Sequence, residues 1–70
     1  MGTAINVKID GKRLRATIER NGMTMADMSR AIGRNEAYMS AAVSRNSIGR
    51  PELKLLCMRI GVDESFFEIK

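Results

Sequence analysis

The chain has 70 residues, which is enough for one small domain with a modest core. It carries 12 Lys and Arg against 8 Asp and Glu, and this net charge of +4 suits a polyanionic partner such as nucleic acid or an anionic membrane surface. It lacks histidine, the commonest general base and metal ligand, and its single cysteine excludes an internal disulfide. We therefore expect no enzymatic activity, no metal and no cofactor.

An alternating pattern opens the chain. Ile5, Val7 and Ile9 occupy every second position, the period of a half-buried strand. We predict a short strand or extended arm over residues 1–9. The only other candidate strand is residues 67–70, and whether the two ends pair is left open.

A first helix is predicted from about Gly11 to Asn21. Asp10 can cap it, and Ile9 and Leu14 have the spacing of a hydrophobic staple around that cap. The inward face is expected to carry Leu14, Thr17, Ile18 and Asn21. The following glycine is a strong signal that the helix stops.

Two short helices are predicted on either side of Gly33. Thr24 caps the first of them, and Asp27 follows at the spacing of a capping box. Gly33 ends it, because glycine adopts a left-handed turn at no steric cost. The second runs over about residues 35–45, and its buried side is expected to carry Met39, Ala42 and Val43.

The last third of the chain is predicted to hold a loop, a helix and a helical turn. Residues 46–50 are interpreted as a break. A helix then starts at Pro51 and ends at Gly61, with an apolar stripe of Leu53, Leu56, Cys57 and Ile60. Asp63 can start a short fifth helix or helical turn, and we expect Cys57 to be a buried apolar residue.

These elements predict an all-α fold, a compact four- to five-helix bundle with a short N-terminal strand or arm. We place the arm at residues 1–9 and the helical domain at residues 10–70. No apolar run is long enough to span a bilayer, and the N-terminus lacks the apolar core of a signal peptide. We therefore expect a cytoplasmic protein.

The two helices around Gly33 also satisfy the demands of a helix-turn-helix. Ser29 and Ala31 are small enough for the helices to approach closely near the turn. A rotation of about 100° per residue places small side chains on the outer face of the second helix, namely Ala37, Ser40, Ala41 and Ser44. Small side chains allow a helix axis to come close to the edges of bases.

The stretch from Thr24 to Asn46, with helices before and after it, resembles the lambda-repressor-like helix-turn-helix family of Cro and XRE-type regulators. The resemblance covers about residues 10–67 and implies a five-helix bundle that binds operator DNA as a dimer. It also implies contacts with the DNA backbone from Thr24, Met25 and residues 45–50, and places Asn35, Glu36, Ala37 and Ala41 against bases.

We therefore predict a sequence-specific, repressor-like regulator that binds double-stranded DNA as a homodimer, with residues 35–45 in the major groove. The candidate residues at base edges are Asn35, Glu36, Ala37, Ser40 and Ala41. The candidates for phosphate contact are Thr24, Arg34, Tyr38, Ser44, Arg45, Ser47 and Arg50. No small-molecule substrate or membrane partner is expected.

Other interpretations stay open. The outer face of the second helix is neutral and lacks arginine for base readout, which favours a helix-turn-helix fold used as a protein-interaction or oligomerisation module. RNA or a membrane surface is a weaker choice, because the basic residues are scattered. Glu36 is equally explained as an acid stabilised by the helix dipole, and Tyr38 as a surface aromatic residue.

Overall fold

Four α-helices and a two-stranded antiparallel sheet form the fold in the computed structural model, which describes residues 5–69. In chain order the elements are β1 Asn6–Lys8, α1 Gly11–Arg20, α2 Met25–Ala31, α3 Tyr38–Arg45, β2 Ser47–Gly49, α4 Arg50–Ile60 and a 3₁₀ turn Glu64–Phe66. The mostly helical prediction is confirmed. Residues 1–4 of the predicted arm and Lys70 lie outside the described residues.

The prediction of an all-α fold was incomplete, because residues 47–49 form a strand where we predicted a loop. β2 pairs with β1, with Val7 opposite Ile48. Ile48 is fully buried and Val7 is nearly so, which makes this pair part of the core. The two strands lie far apart in sequence, so no local sequence pattern predicts that they pair.

The opposite edge of β1 meets the C-terminal segment. The amide of Asp10 donates to the carbonyl of Phe67 at 2.8 Å. The amide of Ile69 donates to the carbonyl of Lys8 at 3.0 Å. Ile9 and Glu68 form an isolated antiparallel bridge between these bonds. The two ends of the described chain therefore meet, through a bridge rather than through a regular second strand.

Side chains cap the first two helices as predicted. Asp10 accepts a hydrogen bond from the amide of Arg13, and Thr24 and Asp27 form a reciprocal capping box with two bonds of 3.0 Å. Gly33 follows α2 with a φ of 78°, in the left-handed region. The stop signals read from the sequence therefore act where they were predicted.

Helix α3 begins three residues later than predicted, at Tyr38 rather than Asn35. Asn35 forms a local turn instead. Its side-chain oxygen accepts a hydrogen bond from the amide of Ala37 at 3.1 Å, and its carbonyl accepts one from Tyr38 at 3.1 Å. An asparagine that bonds to the backbone two residues onward competes with helix formation.

The core lies between the helices and the inner side of the sheet. It contains the fully buried side chains of Ile9, Leu14, Ile18, Met28, Met39, Ala42, Ile48, Leu53, Leu56 and Phe67. Asn21 was predicted to face inward, but it is exposed, and its side-chain Nδ2 donates to the carbonyl of Thr17 at 2.8 Å. Val43 and Ile60 are half-buried at the margin of the core.

Ser29 joins α2 to α3. Its hydroxyl donates to the carbonyl of Met25 at 2.9 Å and accepts a hydrogen bond from the amide of Met39, also at 2.9 Å. The first backbone amides of a helix have no partner within the helix, and Ala37, the N-cap residue of α3, has no side-chain acceptor for them. A buried serine on the neighbouring helix supplies the cap instead, and so fixes the start of α3.

Asn46 fixes the other end of α3. It adopts a left-handed conformation with a φ of 55° and ends the helix. Its side-chain oxygen accepts a hydrogen bond from the amide of Gly11 at 3.0 Å, and its carbonyl accepts one from Ile9 at 3.0 Å. A Cβ atom at Gly11 would lie 2.4 Å from the carbonyl oxygen of Val43. The start of α1 therefore packs directly against the end of α3.

The thiol of Cys57 is buried, as predicted. Burial raises its pKa to about 11, and the negative charges of Glu64, Asp63 and Glu68 act in the same direction.

Within residues 5–69, no helix has the length and apolar character needed to cross a membrane.

We predict that Cys57 resists alkylation in the folded protein at neutral pH, because it is both covered and protonated. Iodoacetamide labelling followed by mass spectrometry should give a rate far below that of the same protein in denaturant. Equal rates in the two conditions would contradict the burial of this side chain.

We predict that Ser29→Ala lowers the free energy of unfolding by about 1–3 kcal/mol, because it leaves the buried amide of Met39 without a partner. The control is Ser40→Ala, the same change at an exposed position of α3, expected to shift stability by less than about 0.5 kcal/mol. Urea denaturation followed by circular dichroism measures both. Equal effects would show that the hydroxyl does not join the helices.

Candidate nucleic-acid interface

The outer face of α3 is exposed and made of small side chains. Ser40, Ala41 and Ser44 are exposed, whereas Met39 and Ala42 on the inner face are fully buried. The bonds of Ser29 and Asn46 hold the two ends of the helix, so this face has a fixed orientation in the domain. The result is a smooth ridge that a flat or grooved partner can approach closely.

The candidate base-edge residues Asn35, Glu36, Ala37, Ser40 and Ala41 are all exposed. Two of them are already engaged. The oxygen of Asn35 is bound within its own turn, and Glu36 forms a 2.8 Å ion pair with Arg30 of α2. Arg30 also pairs with Asp27 at 2.7 Å. These groups are largely exposed, so the pairs are weak and can exchange with solvent or a ligand.

Three of the candidate phosphate residues come together around one aromatic ring. The guanidinium carbons of Arg34 and Arg45 lie 5.2 Å and 5.9 Å from the centre of the Tyr38 ring, within the range of cation–π attraction. The Tyr38 hydroxyl accepts a hydrogen bond from the amide of Gly49 at 3.2 Å. We call Arg34, Tyr38 and Arg45 the tyrosine cluster.

Glu52 holds one side of the tyrosine cluster. This side chain of α4 is buried, and its Oε2 atom accepts hydrogen bonds from Nε of Arg34, at 2.9 Å, and from Nη2. These bonds and the charge of Glu52 raise the pKa of Arg34 above its ordinary value, which is already high. A buried carboxylate requires such a partner, so Arg34 has a structural role. Sequence reasoning missed Glu52, because the pair joins distant segments.

Arg45 is tied down more lightly. Its Nε atom donates to the carbonyl of Ser47 at 2.9 Å, and no carboxylate pairs with it among residues 5–69. Ser47 itself is half-buried in β2. Arg45 is therefore held by one hydrogen bond and carries a positive charge that no acidic side chain within the described chain opposes.

The remaining phosphate candidates differ in availability. Arg50 pairs with Glu64 at 3.0 Å and Glu68 at 3.3 Å, so two carboxylates oppose its charge. Thr24 is exposed, and its hydroxyl oxygen is used in the capping box. Ser44 is exposed on α3, on the side away from Tyr38.

A cleft lies beside α3, where α1 and the start of α2 approach it. Its volume is about 310 Å³, and it is lined by Arg15, Met25, Ser40, Val43 and Ser44. Arg15 forms an ion pair with Glu19 one helical turn later, with 3.3 Å between Nε and Oε2. Sequence reasoning did not single out Arg15, because only the packing of α1 against α3 brings it to this face.

Within residues 5–69, no three acidic or thiol side chains are grouped in a way that would hold a metal ion. Comparison with known proteins found no matching protein-family model, curated protein or solved structure. A function must therefore be argued from the residues of this chain.

We predict that the capping box makes stability depend on pH through Asp27. Its hydrogen bonds with Thr24 and the charge of Arg30 lower the pKa of this carboxyl from 3.8. The ionised carboxylate is thus favoured in the folded state, and its stabilisation is complete above the ordinary pKa. It is lost as the pH falls through the lowered value.

Comparison of the wild type with Asp27→Asn tests this dependence. Urea denaturation at several pH values should give a stability difference that is constant near neutral pH and shrinks below about pH 4. The control is Asp63→Asn, because Asp63 is the N-cap residue of the 3₁₀ turn but its side chain accepts no capping hydrogen bond from a backbone amide. A difference for Asp27→Asn that does not vary with pH would contradict this role.

Proposed function

We propose that this chain is a sequence-specific, double-stranded DNA-binding regulator of the lambda-repressor-like type that acts in the cytoplasm. In this proposal α2, the turn at Gly33 and α3 act as a helix-turn-helix, and α3 lies in the major groove. The observation that carries the proposal is the outer face of α3. It is exposed, small and held at both ends by Ser29 and Asn46.

The dimensions of the groove explain why small side chains suit this role. A helix with its side chains is about 10–12 Å across, close to the width of about 12 Å of the major groove. Ala37 and Ala41 allow the helix to approach, and their methyl groups can contact thymine methyls.

Phosphate contacts would orient α3 in the groove. Arg45 supplies a positive charge that no carboxylate of the described chain opposes, and the hydroxyl of Tyr38 can donate a hydrogen bond while it accepts one from the amide of Gly49. Arg34 lies within cation–π distance of the same ring. Contacts of this kind fix the register of a protein on DNA without reading sequence.

Sequence preference would then come from methyl contacts and DNA shape. The outer face has no arginine or glutamine for a bidentate bond to guanine or adenine, and Glu36 is paired with Arg30. A homodimer would add specificity by fixing the spacing of two half-sites. Leu55 and Met58, which are 47% and 72% exposed on α4, are apolar residues that a second copy can cover.

The same two residues favour a second candidate function, a protein-interaction module. Exposed apolar side chains three positions apart lie on one face of a helix and suit a protein partner. In addition, carboxylates already oppose the charges of Arg30, Arg34 and Arg50. This alternative predicts little affinity for duplex DNA even at low salt.

We predict that Ala41→Glu abolishes DNA binding, because a bulky negative side chain would stand between α3 and the bases. Ala41 is exposed, so the helical circular dichroism should be unchanged. Fluorescence anisotropy with a random-sequence duplex at low salt measures the loss.

The matched control is Ala16→Glu, which introduces the same charge at an exposed position of α1. It should retain most of the affinity. If both variants bind equally well, α3 does not enter the groove. If the wild type does not bind duplex DNA at low salt, the interaction module is the better account.

We predict that Arg45→Ala weakens binding to all duplex sequences alike. Loss of one phosphate contact should reduce the slope of log K against log salt concentration by about 0.9. The control is Arg59→Ala on α4, which removes one exposed charge distant in sequence from α3. An unchanged slope for Arg45→Ala, or a change that depends on the duplex sequence, would contradict a phosphate contact.

A further inference from the structure

We propose that the cleft beside α3 is a second phosphate site, in which Arg15, Ser40 and Ser44 hold a phosphodiester of the DNA backbone. The proposal rests on the DNA-binding function proposed above. It adds a contact to the backbone strand that lies across α3 from the tyrosine cluster.

The positions of residues around α3 are the first argument. Ser40 and Ser44 are four residues apart, so they lie on one flank of the helix. Tyr38 is two residues before Ser40, and a rotation of about 100° per residue places it roughly on the opposite flank, together with Arg45. A helix in the major groove has a sugar-phosphate strand on each side. Each flank of α3 would therefore meet one strand.

The chemistry of the lining is the second argument. A guanidinium and two exposed hydroxyl groups supply donors for the oxygens of a phosphate. Met25 and Val43, both half-buried, give the same cleft an apolar part that suits the carbon atoms of a deoxyribose. A volume of about 310 Å³ admits such a group.

The present partner of Arg15 does not prevent this role. Its pair with Glu19 uses only Nε, at 3.3 Å, and the two side chains are 63% and 58% exposed. An exposed pair of this kind contributes little free energy. Within the described chain, no hydrogen bond occupies the two terminal nitrogens, which can form a forked contact with a phosphate.

The test compares Arg15→Gln with Arg20→Gln by anisotropy with one duplex over about 50–200 mM salt. Both residues are exposed on α1, so each variant loses the same charge from the same helix. Arg20 lines a separate cavity with Arg13 and Phe66. Arg15→Gln should weaken binding about tenfold at the low-salt end and reduce the salt slope by about 0.9, with a clearly smaller effect of Arg20→Gln.

A double-mutant cycle shows whether the groups hold the same phosphate. Ser44→Ala should weaken binding in the wild-type background and have little further effect in Arg15→Gln. Thermal unfolding of each variant checks that the fold is retained, which is expected because Arg15 and Ser44 are exposed.

The outcomes separate this inference from the function on which it rests. If the wild type binds and Ala41→Glu does not, but Arg15→Gln equals Arg20→Gln, the cleft is not a phosphate site and the DNA-binding function stands. Additive effects of Arg15→Gln and Ser44→Ala would also overturn the shared site. If the wild type fails to bind any duplex at low salt, both proposals fail.

Discussion

The rest of the structure depends on how the two ends of α3 are held. At its start, the hydroxyl of Ser29 accepts a hydrogen bond from the amide of Met39. At its end, the side-chain and carbonyl oxygens of Asn46 accept hydrogen bonds from the amides of Gly11 and Ile9. The first contact sets α3 against α2, and the second sets it against α1 and the sheet. Both anchors lie at the ends of the helix, so the side chains of the outer face take no part in these bonds. The exposed side chains of this face are therefore available for contact with a partner.

The charges around α3 follow from the same arrangement. Glu52 on α4 holds Arg34 against one side of the Tyr38 ring, and Arg45 approaches the ring from α3 itself. On the other flank, the packing of α1 brings Arg15 next to the cleft formed with Ser44. A net charge of +4 says little about where a polyanion would bind. The fold gathers basic groups on both sides of a neutral ridge, and this supports the proposed position of α3 between two phosphate strands.

Local signals predicted the helices well, and long-range contacts explain what they missed. Caps at Asp10 and Thr24 and the stop at Gly33 depend on neighbouring residues, so the sequence shows them directly. β2 was missed because its three residues contain one apolar side chain, Ile48, whose partner Val7 is far away in the chain. The positions of Arg15 and Glu52 were missed for the same reason. The exposure of the outer face of α3 followed from helical period alone, but the groups on its flanks required the tertiary structure.

The central claim is that the outer face of α3 contacts DNA, and amide chemical shifts of the ¹⁵N-labelled protein test it most directly. Titration with a short random-sequence duplex at low salt should shift the amides of Ser40, Ala41 and Ser44 and of the groups on the flanks of α3. Shifts of the Leu55 and Met58 amides on α4 would report a second copy that covers that face and do not count as contact with DNA. If the amides of the outer face of α3 do not shift, whether or not those of α4 do, the claim is contradicted and a protein-interaction module is the better account.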